Sequence, residues 1–390
     1  MSSSYEVLVI GGGPIGAATA REAARAGARV GLIERRANIA NPAACAGLVS
    51  PRTLETLGAS PRCVLRTIHA LNAISPNGTV LSLRSANPKA VVVDRSALEQ
   101  DLLEQAAAAG VAVHRNVTAT AVTPGAVTLD HGGAEDVVAA AVVVGADGPR
   151  SSVARWLGLS PAPQVLPAAQ AVVACDGSSA EDTVTVFVGA SYTPGFFAWS
   201  VPAEPGHCRV GLATTDESGP VPFLTRLLSS HYPGHRVVGY THGSIPIGAA
   251  PRIANGAGIL VGDAAGHVKP LSGGGLYFGA LCARIVGSAA AIAARTGDTR
   301  TLRSCEADCD KAIGEEIRFG RFARSVLIRL PDTRVDDLFR VLNRSHVLDV
   351  LADNADIDYP SRLLQEIGRK PRVWARLLPL VSLLDPTSKS

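Results

Sequence analysis

The chain begins with a continuous apolar run, Val7 to Ile10, the pattern of a strand buried on both faces. The run stops at Gly11-Gly12-Gly13-Pro14, and small residues over 17–26 predict a helix. A second apolar strand, Ala28 to Ile33, ends at Glu34. The same passage from apolar strand to glycine recurs twice. Residues 142–145 lead into Gly145-Ala146-Asp147-Gly148, with a helix starting near Ser151. Ile259 to Val261 leads into Gly262-Asp263, and Gly273-Gly274-Gly275 then opens a long apolar helix over 276–294. That helix is long enough to cross a membrane, but it carries Arg284 and many Ala, Gly and Ser. A buried helix packed on a sheet is therefore expected. Asp94-Arg95 precedes a further helix of about four turns, with Leu98, Leu102 and Leu103 on one face. Over 165–250 the period changes to alternation ("DTVTVFVG", "GFFAWSV", "HCRVGLATT"), predicting an antiparallel sheet.

These elements predict an α/β protein. A Rossmann-type dinucleotide-binding domain is expected from 1–165 and 250–300, with 66–95 partly in a second domain. That second, antiparallel domain would span 166–249 and hold the substrate, and 301–390 would be a helical C-terminal region.

The glycine spacing carries chemistry. Gly11, Gly13 and Gly16 give G-x-G-x-x-G within a full strand–loop–helix–strand unit. Gly11 makes the tight turn, Gly13 lets the backbone approach a pyrophosphate, and Gly16 lets helix and strand pack closely. The helix N-terminus offers free N–H groups to the phosphates. Glu34 can accept hydrogen bonds from a ribose and disfavours a 2′-phosphate, so NADP is not expected there. Asp263, at a strand end, suits a hydroxyl of an extended polyol, which FAD has and NAD lacks. Gly274 and Gly275, at a helix start, would stabilise negative charge on the pyrimidine end of a reduced flavin. Asp147 either braces the cofactor loop or caps its own helix. Arg95 is the natural cofactor-facing group of its helix, and the segment Val117 to Ala121 can pass under an adenine.

Composition removes other classes. Apolar residues make up 47% and charged residues 18%, as in a globular chain, and the net charge of +3 gives no reason to expect a nucleic-acid partner. Seven cysteines without a CxxC pair suggest a reduced, cytoplasmic protein. Cys305 and Cys309 stand four apart on a helical stretch, but no His or second Cys pair lies nearby in sequence, so no metal is expected. No signal peptide is expected from the N-terminal pattern.

With these residues in view, the chain over about 5–325 resembles the geranylgeranyl reductase family, within the wider para-hydroxybenzoate-hydroxylase-like flavoproteins. The glycine motif, Asp94-Arg95, Gly145-Ala146-Asp147-Gly148 and Gly262-Asp263 are common to the superfamily. Three features narrow it: Cys45-Ala46-Gly47, "VKPLSGGGLYFGA" at 268–280, and "PGFFAWSVP" at 194–202. In the last, Phe197 and Val201 replace the family's Tyr and Phe, so a hydroxyl is lost and an apolar wall is kept. The resemblance implies saturation of geranylgeranyl double bonds, chiefly on archaeal ether-lipid precursors. It also implies FAD contacts at Ile15, Glu34, Cys45, Ala46, Leu48, Arg95, Ala119, Asp263, Gly275 and Leu276.

Reduction of an alkene needs a hydride and a proton. Cys45 is a candidate to position or protonate the alkene; otherwise it is a small residue packed against FAD. Phe187, Phe196, Phe197 and Trp199 either wall a chain-shaped pocket or form plain core. The sequence leaves other functions open. One is a flavin monooxygenase or halogenase, since 197–202 loosely echoes a halogenase Trp-x-Trp-x-Ile-Pro stretch. Another is a non-catalytic electron-transfer flavoprotein or lipid carrier. Without a second glycine motif for NADPH, an external electron donor is expected: ferredoxin, a reduced deazaflavin or a transient nicotinamide. The tail "RVWARLLPLVSLLDP", with Trp374 and Pro379, is too short to span a bilayer. It can cap the pocket, dock on the body or rest peripherally at a membrane.

Overall fold

A computed structural model describes residues 4–39, 45–175, 181–344 and 348–363. The tail containing Trp374 lies outside the described residues. The first apolar run forms the strand Ser4–Ile10, in the middle of an eight-stranded sheet. It pairs in parallel with Val30–Glu34 on one side and Glu135–Gly145 on the other. Gly258–Leu260 and Ala112–Arg115 extend the sheet outward, also in parallel. Val7, Leu8 and Val9 are fully buried, which is why this strand reads as apolar without alternation.

Two long helices cover one face. Pro14–Arg25 follows the glycine turn, and the helix Leu276–Thr296 packs against it. Length and composition alone would let the second helix cross a membrane, but two thirds of its apolar window (67%) is buried inside the protein. Arg284 falls on its exposed side. The helix Arg95–Ala108 is capped by Asp94, whose carboxylate accepts from the Ser96 and Ala97 amides, and it buries Leu98, Leu102 and Leu103.

The alternating segment forms a seven-stranded sheet in the order Val237–Ile247, Gln164–Ala174, His207–Ala213, Phe197–Pro202, Thr183–Val188, Ala70–Ile74, Val80–Arg84. All its pairings are antiparallel except that of Thr183–Val188 with Ala70–Ile74. One face packs the helix Val221–His231, and the other looks toward the flavin-type glycine loops. A small sheet of Leu48–Val49, Ala90–Val93 and Val64–Ile68 bridges the two. The described residues from 300 to 354 are mostly helical, and the last described turn returns to the glycine loop through Lys269 and Asp358.

Gly16 shows how tightly the nucleotide turn is built. A Cβ there would stand 1.8 Å from the carbonyl oxygen of Gly11. Backbone cannot yield as a flexible side chain does, so Gly16→Ala is expected to cost about 1–3 kcal/mol of overpacking. The measurable result is a lower Tm together with purification in largely flavin-free form; a variant with wild-type Tm and flavin content would contradict this packing.

Candidate active site

Between the two large sheets lies a cavity of about 1210 Å³. That exceeds the roughly 300–1,000 Å³ of ordinary small-molecule pockets, leaving room for a dinucleotide and a second ligand. Every cofactor position expected from the sequence lines it. Gly11, Gly13, Ile15, Gly16 and Glu34 form one end; Cys45, Ala46, Leu48 and Arg95 form one side. Ala119, Asp147, Asp263, Gly274, Gly275 and Leu276 complete that part of the lining.

The residues fit FAD on their own chemistry. The helices starting at Pro14 and Leu276 both have a glycine at the N-cap and no side-chain cap, so their first amides remain free for anionic oxygens. Gly13 meets no atom within 4 Å on its missing Cβ side, leaving open approach. No protein group donates to the Asp263 carboxylate among the described residues, and burial holds its pKa above the usual range, against the pull of Arg95 and His267. The Arg95 Nε is buried without a partner. A hydroxylated, phosphorylated ligand answers each of these groups.

A chain of charges runs along the cavity floor. Glu34 accepts from the Gly12 amide (2.9 Å) and from Arg36 Nε (3.0 Å). Burial alone would raise the Glu34 pKa, but its bonds to Arg36 and the Gly12 amide hold it below the usual carboxylate range. Arg36 also reaches Glu99 (3.0 Å), and Glu99 accepts from Arg95 Nη2 (2.8 Å). Arg95 Nη1 then donates to Cys45 Sγ (3.2 Å). Burial alone would lower the Arg95 pKa; Cys45 and Glu99 hold it above its ordinary value.

Cys45 is thus fixed by what surrounds it. Its sulfur also accepts from the Gly47 amide (3.4 Å), and its carbonyl accepts from Gln170 Nε2 (3.3 Å). Gln170 Oε1 takes the indole N–H of Trp199 (3.1 Å), tying the loop to the seven-stranded sheet. Arg209 donates to the carbonyls of Ala46 and Val93, both at 3.1 Å. Gly47 has φ +77°, and a Cβ there would stand 2.4 Å from Arg209 Nη1 and 2.6 Å from Val93 O. The Cys-x-Gly pattern follows from that crowding.

Three expected residues stand differently. Phe197 and Trp199 line the cavity, but Phe187 does not: it is 2% exposed on the opposite face of its strand, against Tyr192 and His231. Phe196 stacks on Phe197 (4.5 Å between centroids) under the Arg324 guanidinium, and it too is absent from the lining. Asp147 lines the cavity, but its carboxylate serves Ser151 Oγ, Ser152 N and Val153 N, capping its own helix. Sequence reasoning passed over Arg36, Glu99, Gln170 and the returning segment 352–358. Glu99 had a signal, being four residues after Arg95 on one helix; the returning segment had none.

The cysteine pair singled out on the C-terminal helix gains neighbours in space. His267, Cys282 and Cys309 bring their ligand atoms within 4.8 Å of one another, with Cys305 beside Cys309. Burial presses the His267 pKa down to about 4, with Asp263 opposing. Its Nδ1 faces the Gly262 amide (3.3 Å), so Nε2 carries the proton. Hydrogen bonds among the thiols, with burial, push Cys305 and Cys309 upward, so both stay protonated. As folded, His267, Cys282 and Cys309 form one buried, closely packed cluster.

The lone carboxylate of Asp263 makes a stability prediction. Its folded pKa is raised, so its contribution is favourable below the unfolded carboxylate pKa of about 4 and is lost as pH rises through the folded value. Asp263→Asn is therefore expected to raise the Tm of flavin-free protein at pH 7, with the gain vanishing near pH 4, while weakening FAD binding. Thermal unfolding at the two pH values, with an FAD titration, checks both signs.

Comparison with known proteins agrees with this geometry. The FAD binding domain family is matched over residues 4–319. Digeranylgeranylglycerophospholipid reductase 1 of Methanothermobacter thermautotrophicus is 32% identical over 364 residues, covering 87% of this chain and 90% of that protein. The same organism's digeranylgeranylglycerophospholipid reductase 2 is 31% identical over 387 residues, covering 93% and 99%. A geranylgeranyl bacteriochlorophyll reductase-like protein from Thermoplasma acidophilum superposes with a TM-score of 0.83, covering 97% of this chain and 99% of its own, at 22% identity. At that identity it speaks for the fold, which is that of the para-hydroxybenzoate-hydroxylase-like flavoproteins. The chain belongs to the FAD binding domain family and, within it, to the geranylgeranyl reductase family of FAD-dependent oxidoreductases.

Proposed function

We propose that this protein saturates carbon–carbon double bonds of geranylgeranyl chains, on a phosphorylated lipid of the ether-lipid precursor type. The observation that carries this reading is the composition of the cavity beyond the flavin loops. Leu71, Val184, Val186, Phe197, Trp199 and Val201 line the same cavity, and all of these but Phe197 pack in one apolar cluster with Ala46 and Leu48 beside Cys45. Apolar side chains gathered on one wall suit a hydrocarbon chain, and the relatives named above are reductases of geranylgeranylated lipids.

Bound FAD, once reduced by an external donor, supplies the hydride. This chain's residues supply the rest. The apolar walls exclude water and align the alkene along the slot. The other alkene carbon needs a proton, and Cys45 Sγ is the group we assign to give it. Arg95 Nη1 and the Gly47 amide both donate to that sulfur, so its own hydrogen is not needed for either bond. The same two donors would stabilise the thiolate left behind. Gln170 holds the Cys45 carbonyl and keeps the loop in register with Trp199. A lipid substrate favours peripheral contact with a membrane, and the seven cysteines without a CxxC pair favour the reducing cytoplasm.

Anaerobic incubation of the dithionite-reduced enzyme with a digeranylgeranyl phospholipid is expected to yield products heavier by successive pairs of hydrogens, counted by mass spectrometry. Unchanged lipid, or oxygen-dependent products instead, would overturn the reading in favour of an electron carrier or an oxygenase. Replacement of Cys45 by Ser, which keeps an acceptor for Arg95, is expected to leave the flavin content intact and slow alkene reduction by about 10²-fold or more, the scale of a lost general acid; an unchanged rate would remove the thiol from the chemistry.

A further inference from the structure

The cavity is not lined by apolar and cofactor-type residues alone. His69, Ser85 and Lys89 also line it, as do Ala352, Ala355 and Asp356 of the returning C-terminal segment, Asp356 being paired with Arg52. Lys89 and His69 stem from adjoining backbone: the Lys89 amide donates to Ile68 O (3.0 Å), one residue before His69. Among the described residues Lys89 Nζ gives one hydrogen bond, to the Asp353 carbonyl (2.7 Å), in an exposed position. An ammonium has three donors, so that bond uses one of them. Among the described residues no carboxylate forms an ion pair with Lys89. The His69 ring uses Nδ1 on the Ser85 carbonyl (3.3 Å), leaving Nε2 for another partner.

The distribution of lysine bears on this. Within residues 1–300 the chain has only Lys89 and Lys269; every other ammonium or guanidinium side chain there is arginine. Both lysines line the one cavity. Lys269 is committed to Asp358 (2.9 Å) and the Ile357 carbonyl (3.0 Å), so its charge is neutralised. The charge of Lys89 meets no carboxylate among the described residues. A cavity with an apolar wall and a solvent-reached lysine that meets no carboxylate among the described residues matches an anionic amphiphile, its chain against the apolar wall and its head group at Lys89.

We infer that Lys89, assisted by His69, forms an anion subsite that selects isoprenoid substrates bearing a phosphate-ester head group over uncharged isoprenoids of the same chain length. This deepens the isoprenoid reading above and rests on it.

The test compares geranylgeranyl monophosphate with geranylgeraniol on the FAD-loaded enzyme, following binding by perturbation of the flavin spectrum. Wild type is expected to prefer the phosphorylated chain. Lys89→Gln should weaken that ligand by roughly tenfold and leave geranylgeraniol within about twofold, as expected for loss of a charge-assisted bond. Lys89→Arg should keep most of the preference. Equal loss of both ligands in Lys89→Gln would reduce Lys89 to a brace for the Asp353 carbonyl and overturn the subsite, as would no loss of either. Inorganic phosphate that binds as tightly as the phosphorylated chain would overturn its assignment to a lipid head group. Wild-type enzyme that binds geranylgeraniol but shows no preference refutes the subsite alone. Wild-type enzyme that binds neither refutes the isoprenoid reading and the subsite together.

Discussion

A buried guanidinium governs this site. Arg95 cannot lose its charge, so folding must surround it with acceptors or leave a charge stranded in low dielectric. Glu99 and Cys45 provide them, and Glu99 in turn is shared with Arg36, which is shared with Glu34. The result is an alternating chain from the ribose-side acid to the cysteine loop. Its charges are mutually compensating, so removing one member leaves a buried partner uncompensated, the costly case for an ion-pair network. The nucleotide end and the reacting end of the cavity are thereby built as one object.

A second set of contacts joins that object to the substrate sheet. Arg209 joins the Ala46 carbonyl of the cysteine loop to the Val93 carbonyl of the neighbouring strand, and the Trp199–Gln170–Cys45 series connects indole, amide and loop backbone. Trp199 can therefore present its apolar face to the slot while its N–H is satisfied. On the far side, Lys269 and Arg52 hold the acidic residues Asp356 and Asp358, which brings the returning segment against the triple-glycine loop. The cavity is closed by polar contacts around a mostly apolar interior, an arrangement suited to holding a greasy chain beside a charged cofactor.

The nucleotide unit was legible because its constraints are local. Gly11, Gly13 and Gly16 answer to backbone crowding within one turn, and Glu34 stands at the end of the very next strand, so a short window of sequence contains both cause and effect. The substrate wall was half legible for a matching reason. Alternation says that neighbours on a strand point to opposite faces, not which face is wet, dry or hollow. Register decides it: Val186 lies opposite Trp199 and faces the slot with it, while Phe187 lies opposite Ala198 and faces the helix Val221–His231. Aromatic identity pointed to Phe187; parity assigned the place to Val186.

The sequence by itself determined the strand–glycine–helix units, the type of cofactor they serve and the loop on which Cys45 rides, since each follows from residues a few positions apart. Only the tertiary structure decided what the sulfur touches, which aromatic residues wall the slot, and that Lys269 meets Asp358 across the chain. It also decided that His267, Cys282 and Cys309 lie together as one buried cluster. The physical reason is the same in each case. Side-chain direction and long-range pairing depend on how sheets and helices pack, and packing is settled by burial of the whole apolar surface rather than by any single stretch of the chain.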